Sequence, residues 1–315
     1  RVDDSWVLNG EKIFVTGGTG FIGSNLTKRL LEDGHEIIIT GHDAEQRIPD
    51  FKGKILQPSF IGIDCDAIGN VDVVYHQAAI NDTQNMDKEE IWRANVLSSK
   101  ELFRRVIDTG CRRIVYASST AVYGDAPVPF HEDGPKHPLN PYAESKLALD
   151  EWAMDYARTH KDITIVGLRY PNVYGPGEAH KGKRASMVRQ LARQIMDGPG
   201  DGPKLFEWGE QEREYAYVDD IVRANLAATH AQQSCVVNIG TGSSISFNAL
   251  VARLNDALGV KFPIKPQYIK NPHGTNYQAH TLCDMRLAKE KIGFEASFDI
   301  SRGIIAYHNS GTLLD

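Results

Sequence analysis

One stretch, Phe14-Val-Thr-Gly-Gly-Thr-Gly-Phe-Ile-Gly23, restricts this chain more than any other. The apolar run Lys12–Val15 before it reads as a strand, and Ser24–Glu32 after it reads as a helix. Gly17, Gly20 and Gly23 therefore occupy a tight strand-to-helix turn. Such a turn lets backbone N–H groups approach a pyrophosphate at the positive end of a helix. The spacing is Gly-x-x-Gly-x-x-Gly, not the Gly-x-Gly-x-x-Gly of the common dinucleotide fingerprint. The flanking strand and helix carry the assignment.

Apolar runs alternate with amphipathic stretches through the first two thirds of the chain. Strands are expected at Lys12–Thr16, Glu36–Thr40, Ser59–Ile63, Val71–His76, Arg113–Ala117, Ile163–Leu168 and Val236–Ile239. Helices are expected at Ser24–Asp33, Asp87–Thr109, Pro141–His160, Ser186–Asp197, Asp219–His230 and Ser246–Leu258. Continuous apolar strands suit a parallel sheet covered by helices on both faces. The alternation predicts an α/β fold with a doubly wound parallel (Rossmann) sheet. Asp64–Asn70 is too short for an ordinary crossover, so its helix should be absent or reduced to a turn. After Leu168 the chain becomes rich in breakers. A second, smaller α/β substrate lobe is expected from residues 171–213 plus 241–315. Residues 1–170 plus 214–240 would form the dinucleotide-binding domain.

Composition excludes several classes. The 315 residues carry a net charge of −6, which argues against a nucleic-acid partner. No apolar run is long enough to span a bilayer, so no membrane partner is expected. The start, Arg1-Val-Asp-Asp, reads as a trimmed cytosolic N-terminus, giving a cytoplasmic expectation. Cys65, Cys111, Cys235 and Cys283 form no Cys-x-x-Cys pair. They read as free thiols of a reducing compartment, with no metal site.

Tyr142-Ala-Glu-Ser-Lys146 opens a predicted helix. Residues four apart share a helix face, so the ammonium is expected to lower the phenol's pKa. Such a tyrosine can exchange a hydroxyl proton during hydride transfer. Upstream, Ser118 and Ser119 end a strand and can hydrogen-bond the reacting oxygen. The second strand ends at Ile39-Thr40-Gly41-His42, without the acid that binds the ribose hydroxyls of NAD. His42 and Arg47 stand ready for a 2′-phosphate. NADP is therefore expected, with NAD as the alternative should Asp43 reach the ribose.

In this order, Thr16–Gly23, His76-Gln-Ala-Ala79, Arg93-Ala-Asn-Val96, Ser118–Gly124, Tyr142–Lys146 and Arg169–Pro176 resemble an extended short-chain dehydrogenase/reductase. The resemblance covers nearly the whole chain. It implies a catalytic Ser119, Tyr142 and Lys146. It implies cofactor contacts at Gly17, Gly20, Phe21, Ile22, Gly23, His42, Arg47, Asp64, Ala78 and Asn95, besides Tyr142 and Lys146. It implies diphosphate contacts from Asn172 and Arg213, a homo-oligomer, and a small nucleotide-sugar substrate.

Val173-Tyr-Gly-Pro-Gly-Glu-Ala-His-Lys-Gly182 resembles the branch of that family that inverts C6 of ADP-heptoses. Ala185-Ser186, Pro203–Glu207, Arg213–Asp219 and Asn276–Thr281 continue the likeness. It implies a second acid/base at Lys181, with Lys183 and Arg184 as cationic neighbours, and substrate contacts from Ser186 and Tyr277. Two proton donors fit the chemistry, because the ketone must rotate to receive hydride on its other face. A tightly bound cofactor is expected, since epimerisation has no net redox demand. Related 4-epimerases share Ser119, Tyr142 and Lys146 but generally lack the His-Lys-Gly segment. Dehydratases of the family carry an acidic pair where this chain has Thr120 and Ala121. A redox-sensing regulator on this fold is the third reading, though such proteins usually lose the Tyr or Lys.

Overall fold

The computed structural model describes residues 10–57, 59–197, 202–271 and 278–315. Its main sheet has seven strands: β1 (Lys12–Thr16), β2 (Glu36–Ile39), β3 (Lys54–Ile55), β4 (Val73–His76), β5 (Arg113–Ser119), β6 (Thr164–Tyr170) and β10 (Cys235–Asn238). Their order is β10-β6-β5-β4-β1-β2-β3, and every pairing is parallel. The order in which strands are added switches sides between β1 and β4. Ligands of open α/β sheets bind beyond the strand ends at that switch.

The apolar runs explain the sheet. Ile13, Phe14 and Val15 are fully buried, with alternate residues contributing to cores on opposite faces. Helices α1 (Phe21–Glu32) and α7 (Val218–Thr229) pack together. Helices α4 (Ser98–Asp108) and α5 (Pro141–Thr159) contribute to the other core.

Two smaller sheets lie apart from the main one. One contains β7 (Asn172–Tyr174), β9 (Glu212–Tyr217) and β11 (Ser244–Ser246), ordered β11-β9-β7. The other pairs β8 (Lys204–Phe206) with β12 (Gln267–Ile269). Helices α6 (Met187–Met196), α8 (Phe247–Ala257) and α10 (Ile300–Asn309) share an apolar core with the three-stranded sheet. The expected boundary between 213 and 214 falls inside β9.

Three local expectations are corrected. Ser59–Ile63 is not a strand; the third strand is the short β3 before it. Gly62 turns with φ +66, and Ile63 N donates to Phe60 O at 3.2 Å. The apolar Phe60 instead packs edge-on against His76, with ring centres 4.8 Å apart. The expected helix Asp87–Thr109 is divided into α3 (Lys88–Trp92), a π-helical turn at Arg93–Leu97, and α4. Ser98 Oγ donates to Arg93 O at 2.9 Å across that widened turn, a contact that residue periodicity does not encode. The last main-sheet strand begins at Cys235 and ends at Asn238 rather than spanning 236–239. The short 64–70 connection holds only a 3-10 turn at Cys65–Ala67, as its length demanded.

Candidate active site

At the end of β1 the backbone crowds itself so closely that glycine is required. Gly17 has φ +64, and a Cβ there would lie 3.0 Å from the Ala78 backbone. A Cβ on Gly23 would lie 2.0 Å from Gly17 O. Gly20 then caps α1 without a side-chain acceptor, and no acid stands in the helix's first turn. The leading N–H groups of α1 are left for a ligand, and the dipole favours an anion there. These features fit a dinucleotide pyrophosphate. Gly41 is equally constrained: with φ +152, its Cβ would meet Thr19 Oγ1 at 2.1 Å.

Buried His76 braces the turn. Thr16 Oγ1 accepts from Ala78 N at 3.2 Å and lies 2.7 Å from His76 Nδ1. On the other side of the ring, His76 Nε2 lies 2.8 Å from Ser99 Oγ, so both ring nitrogens are held by hydroxyls. Burial pushes the His76 pKa down to about 3, which keeps this bridge neutral.

One cavity of about 510 Å³ runs from this turn to the ends of β5 and α5. Gly17, Gly20, Phe21, Ile22, Gly23, His42, Arg47 and Ala78 line it, as do Ser119, Tyr142, Lys146 and Lys181. Asn140 starts α5 by accepting from Ala143 N at 2.9 Å, with Pro141 at the first helical position. The Ser119 side chain acts on the Tyr142 hydroxyl and favours its ionised form. Lys146 Nζ donates to Ala117 O at 2.7 Å and stands 5.8 Å from the centre of the Tyr142 ring.

Here the electrostatic expectation needs correction. Tyr142 keeps some surface open to the cavity, yet surrounding protein desolvates it and raises its pKa; Ser119 offsets this and Asp150 adds to it. Lys146 bends toward a backbone carbonyl rather than the phenol. Its own burial brings its pKa down to about 8, against the pull of Asp150.

Another part of the lining comes from the segment between β7 and α6. Lys181 sits in a 3-10 turn, Ala179–Arg184, with Nζ 5.4 Å from the Phe21 ring centre. Burial lowers its pKa, Glu178 opposes that, and Arg184 reinforces it. Lys183 is exposed and is not among those causes. The loop is tied to α1 by Asn25 Nδ2 donating to Pro176 O at 2.9 Å.

Several expected contacts lie elsewhere. Ser186 does not reach the cavity: its hydroxyl donates to buried Glu178 at 2.8 Å and accepts from Arg189 N at 3.3 Å, capping α6. Asn95 is buried, with Nδ2 donating to Ile80 O at 2.9 Å and Ser145 Oγ at 3.0 Å. Its Oδ1 accepts from Ile80 N at 2.8 Å, so its side chain positions α5 instead of lining the cavity. Asp64 is exposed outside the cavity and accepts from Asp66 N at 3.0 Å. Asp43 starts a short helix, α2 (Ala44–Arg47), also outside the lining. Asn172 and Arg213 line an adjacent cavity of about 370 Å³ with Phe206, Tyr215 and Phe247. Tyr277 lies outside the described residues.

Other cavity residues are given no role by motif reading, although Gln77 and Tyr170 lie inside His76-Gln-Ala-Ala79 and Arg169–Pro176. Gln77 and Tyr170 line the main cavity and form a triangle with buried Asn225. Tyr170 OH donates to Gln77 Oε1 at 3.2 Å, Asn225 Nδ2 donates to Tyr170 OH at 2.8 Å, and Gln77 Nε2 donates to Asn225 Oδ1 at 2.9 Å. Their sequence separation left no signal. Glu178, which accepts from Gly175 N at 3.2 Å and from Ser186, gathers the Lys181 loop from within. Its only trace is an acid inside an otherwise basic, turn-rich segment.

The Epimerase signature, described as the NAD dependent epimerase/dehydratase family, matches residues 13–240. This chain belongs to that family. The NAD dependent epimerase/dehydratase signature thus includes the glycine turn, Ser119, Tyr142 and Lys146. A relative from Alkalilimnicola ehrlichii, named ADP-L-glycero-D-manno-heptose-6-epimerase, is 34% identical over 94% of this chain and 96% of its own length. The Helicobacter pylori ADP-L-glycero-D-manno-heptose-6-epimerase structure is 31% identical, with TM-score 0.85 and 98% coverage of both chains. The Thermotoga maritima UDP-glucose 4-epimerase structure with UDP-glucose is 27% identical, with TM-score 0.84 over 95% of this chain and 97% of that one. Among the described residues, no helix of this epimerase/dehydratase family member is long and apolar enough to cross a membrane.

Proposed function

We propose that this chain is a nucleotide-sugar epimerase that inverts C6 of an ADP-activated heptose. The observation carrying this reading is the sharing of one cavity by Tyr142, from the catalytic helix, and Lys181, from the substrate-side loop. The likeness to two proteins named as heptose 6-epimerases supports the substrate. We also retain the division into a dinucleotide-binding domain and a substrate lobe, with β9 as their seam, and a homo-oligomeric cytoplasmic enzyme.

When bound, the nicotinamide supplies a site that takes and returns one hydride. The remaining work belongs to side chains. Ser119 hydrogen-bonds the reacting oxygen and orients the Tyr142 hydroxyl. In one sugar pose Tyr142 exchanges a proton with the reacting oxygen, and after the ketone has rotated Lys181 exchanges its own proton with that oxygen, so one group ends with a proton gained and the other with a proton given. Each transfer needs hydrogen-bond range, which a single donor cannot keep in both poses. Burial lowers the Lys181 pKa, easing release of its proton. Lys146 anchors the wall beside Tyr142. Asn172 and Arg213 receive the diphosphate in the adjacent cavity. For the cofactor we propose NADP, because Gly41 replaces the ribose-binding acid while His42 and Arg47 line the cavity.

Tyr142→Phe and Lys181→Met should each lower epimerisation by about 100-fold or more, with the nucleotide retained. Proton NMR of the sugar nucleotide measures this directly. Full epimerase activity in Lys181→Met refutes the two-donor reading. The Thermotoga neighbour and the shared Ser119, Tyr142 and Lys146 favour a second reading, a 4-epimerase. A panel of nucleotide sugars separates them by the carbon inverted.

A further inference from the structure

The main cavity has a charge pattern that the chain as a whole does not. The protein carries −6 net, yet no Asp or Glu lines this cavity among the described residues. Arg47, Lys146, Lys181 and Arg184 line it, with His42 and His180. The pyrophosphate is already provided for by the uncapped N-terminus of α1. Lys146 is engaged at the catalytic end with Ala117 O. Arg184 faces Asp82 at 3.8 Å. The basic groups around Arg47 therefore exceed what two bridging phosphates require. The Arg47 guanidinium has no hydrogen-bond or ion-pair partner among the described residues, its backbone N–H alone being taken by Asp43 O at 3.1 Å.

His180 lines the same cavity, close enough to Arg47 to feel its charge. It precedes Lys181 on the same 3-10 turn. Its Nδ1 lies 2.9 Å from Gly177 O, and a carbonyl only accepts, so Nδ1 carries hydrogen. Nε2 is left to bind a ligand. Burial, Arg47 and Lys181 all disfavour the charged imidazole, while the Gly177 carbonyl favours it. An anion seated between His180 and Arg47 converts their mutual repulsion into shared attraction.

We propose that His180 is a ligand of the cofactor's 2′-phosphate, so that the turn carrying Lys181 is held on the nucleotide itself. This rests on the NADP reading above and extends it. Cofactor choice and placement of the second proton donor then become one event. Arg47 supplies the fixed charge and His180 the closing hydrogen bond.

The test uses the purified full-length protein. It is equilibrated with equal excesses of NADP and NAD until the bound ratio is constant, desalted and denatured. The released nucleotides are quantified by mass spectrometry. The unaltered protein should hold NADP over NAD. His180→Ala should reduce that ratio about tenfold or more, the worth of one hydrogen bond to a charged group. Lys183→Ala, on the same turn but outside the cavity lining, should leave the ratio unchanged. An unchanged ratio in His180→Ala, or an equal fall in Lys183→Ala, overturns the assignment. An unaltered protein without preference defeats the NADP reading and this inference together. The sugar chemistry, tested separately through Tyr142 and Lys181, would still stand.

Discussion

Replacing Asp150 with Asn should unlock α5 from the sheet, at a cost that follows from its surroundings. Asp150 lies on α5, eight residues after Tyr142. Its Oδ2 accepts from Arg169 Nε at 2.9 Å, and its Oδ1 accepts from Tyr116 OH at 2.9 Å. Arg169 Nη1 donates to Tyr123 OH at 2.7 Å, and that hydroxyl donates to Asn238 Oδ1 at 2.6 Å. The ionic side chains are 4% and 3% exposed, so water cannot replace a lost partner. An amide offers one acceptor where the carboxylate offers two. One donor would face another donor, and the guanidinium would lose its counter-charge. Breaking a buried pair from one side costs about 3–5 kcal/mol. Against a typical total of about 5–15 kcal/mol, that is a large share.

The assay is urea unfolding followed by circular dichroism and tryptophan fluorescence, whose coincidence tests for a single transition. The double variant Asp150→Leu with Arg169→Met removes both charges. It should cost less than the two single changes together, with a coupling of about 2 kcal/mol or more. Asp150 also raises the Tyr142 pKa, so Asp150→Asn should move the phenol's titration downward. A loss under about 1 kcal/mol in Asp150→Asn, or strict additivity in the double variant, refutes the reasoning.

Two further outcomes are expected. Gly41→Asp should not create an NAD enzyme: its Cβ would meet Thr19 Oγ1 at 2.1 Å under a φ of +152. It should cost about 1–3 kcal/mol in chemical unfolding without tightening NAD in calorimetry, and a stable variant with tighter NAD binding contradicts this. Lys146 has a folded pKa of about 8, below its ordinary 10.5. Between those values the unfolded chain binds more protons, so this group's contribution to stability rises with pH through that window. Subtracting the stability–pH profile of Lys146→Met from the original should isolate that rise between about pH 8 and 9.5; identical profiles count against it.

Much of the architecture is legible in local pattern. Buried runs such as Ile13-Phe-Val15 have one satisfactory home, a covered parallel strand, and the glycine turn needs only its neighbours to be recognised. Tyr142 and Lys146 are readable because both lie on one helix face near its start. Lys181 is different. Its place in the cavity shared with Tyr142 depends on Glu178 drawing in the loop and Asn25 tying it to α1.

Local patterning specifies the Rossmann sheet, the nucleotide turn and the Tyr–Lys pair, because these depend on residues close in the chain. Folding decides the direction of each pKa shift, the structural duties of Asn95 and Ser186, and the joining of Lys181 with Tyr142 in one cavity. Desolvation and long-range hydrogen bonds govern those outcomes, and both arise only when distant segments are packed together.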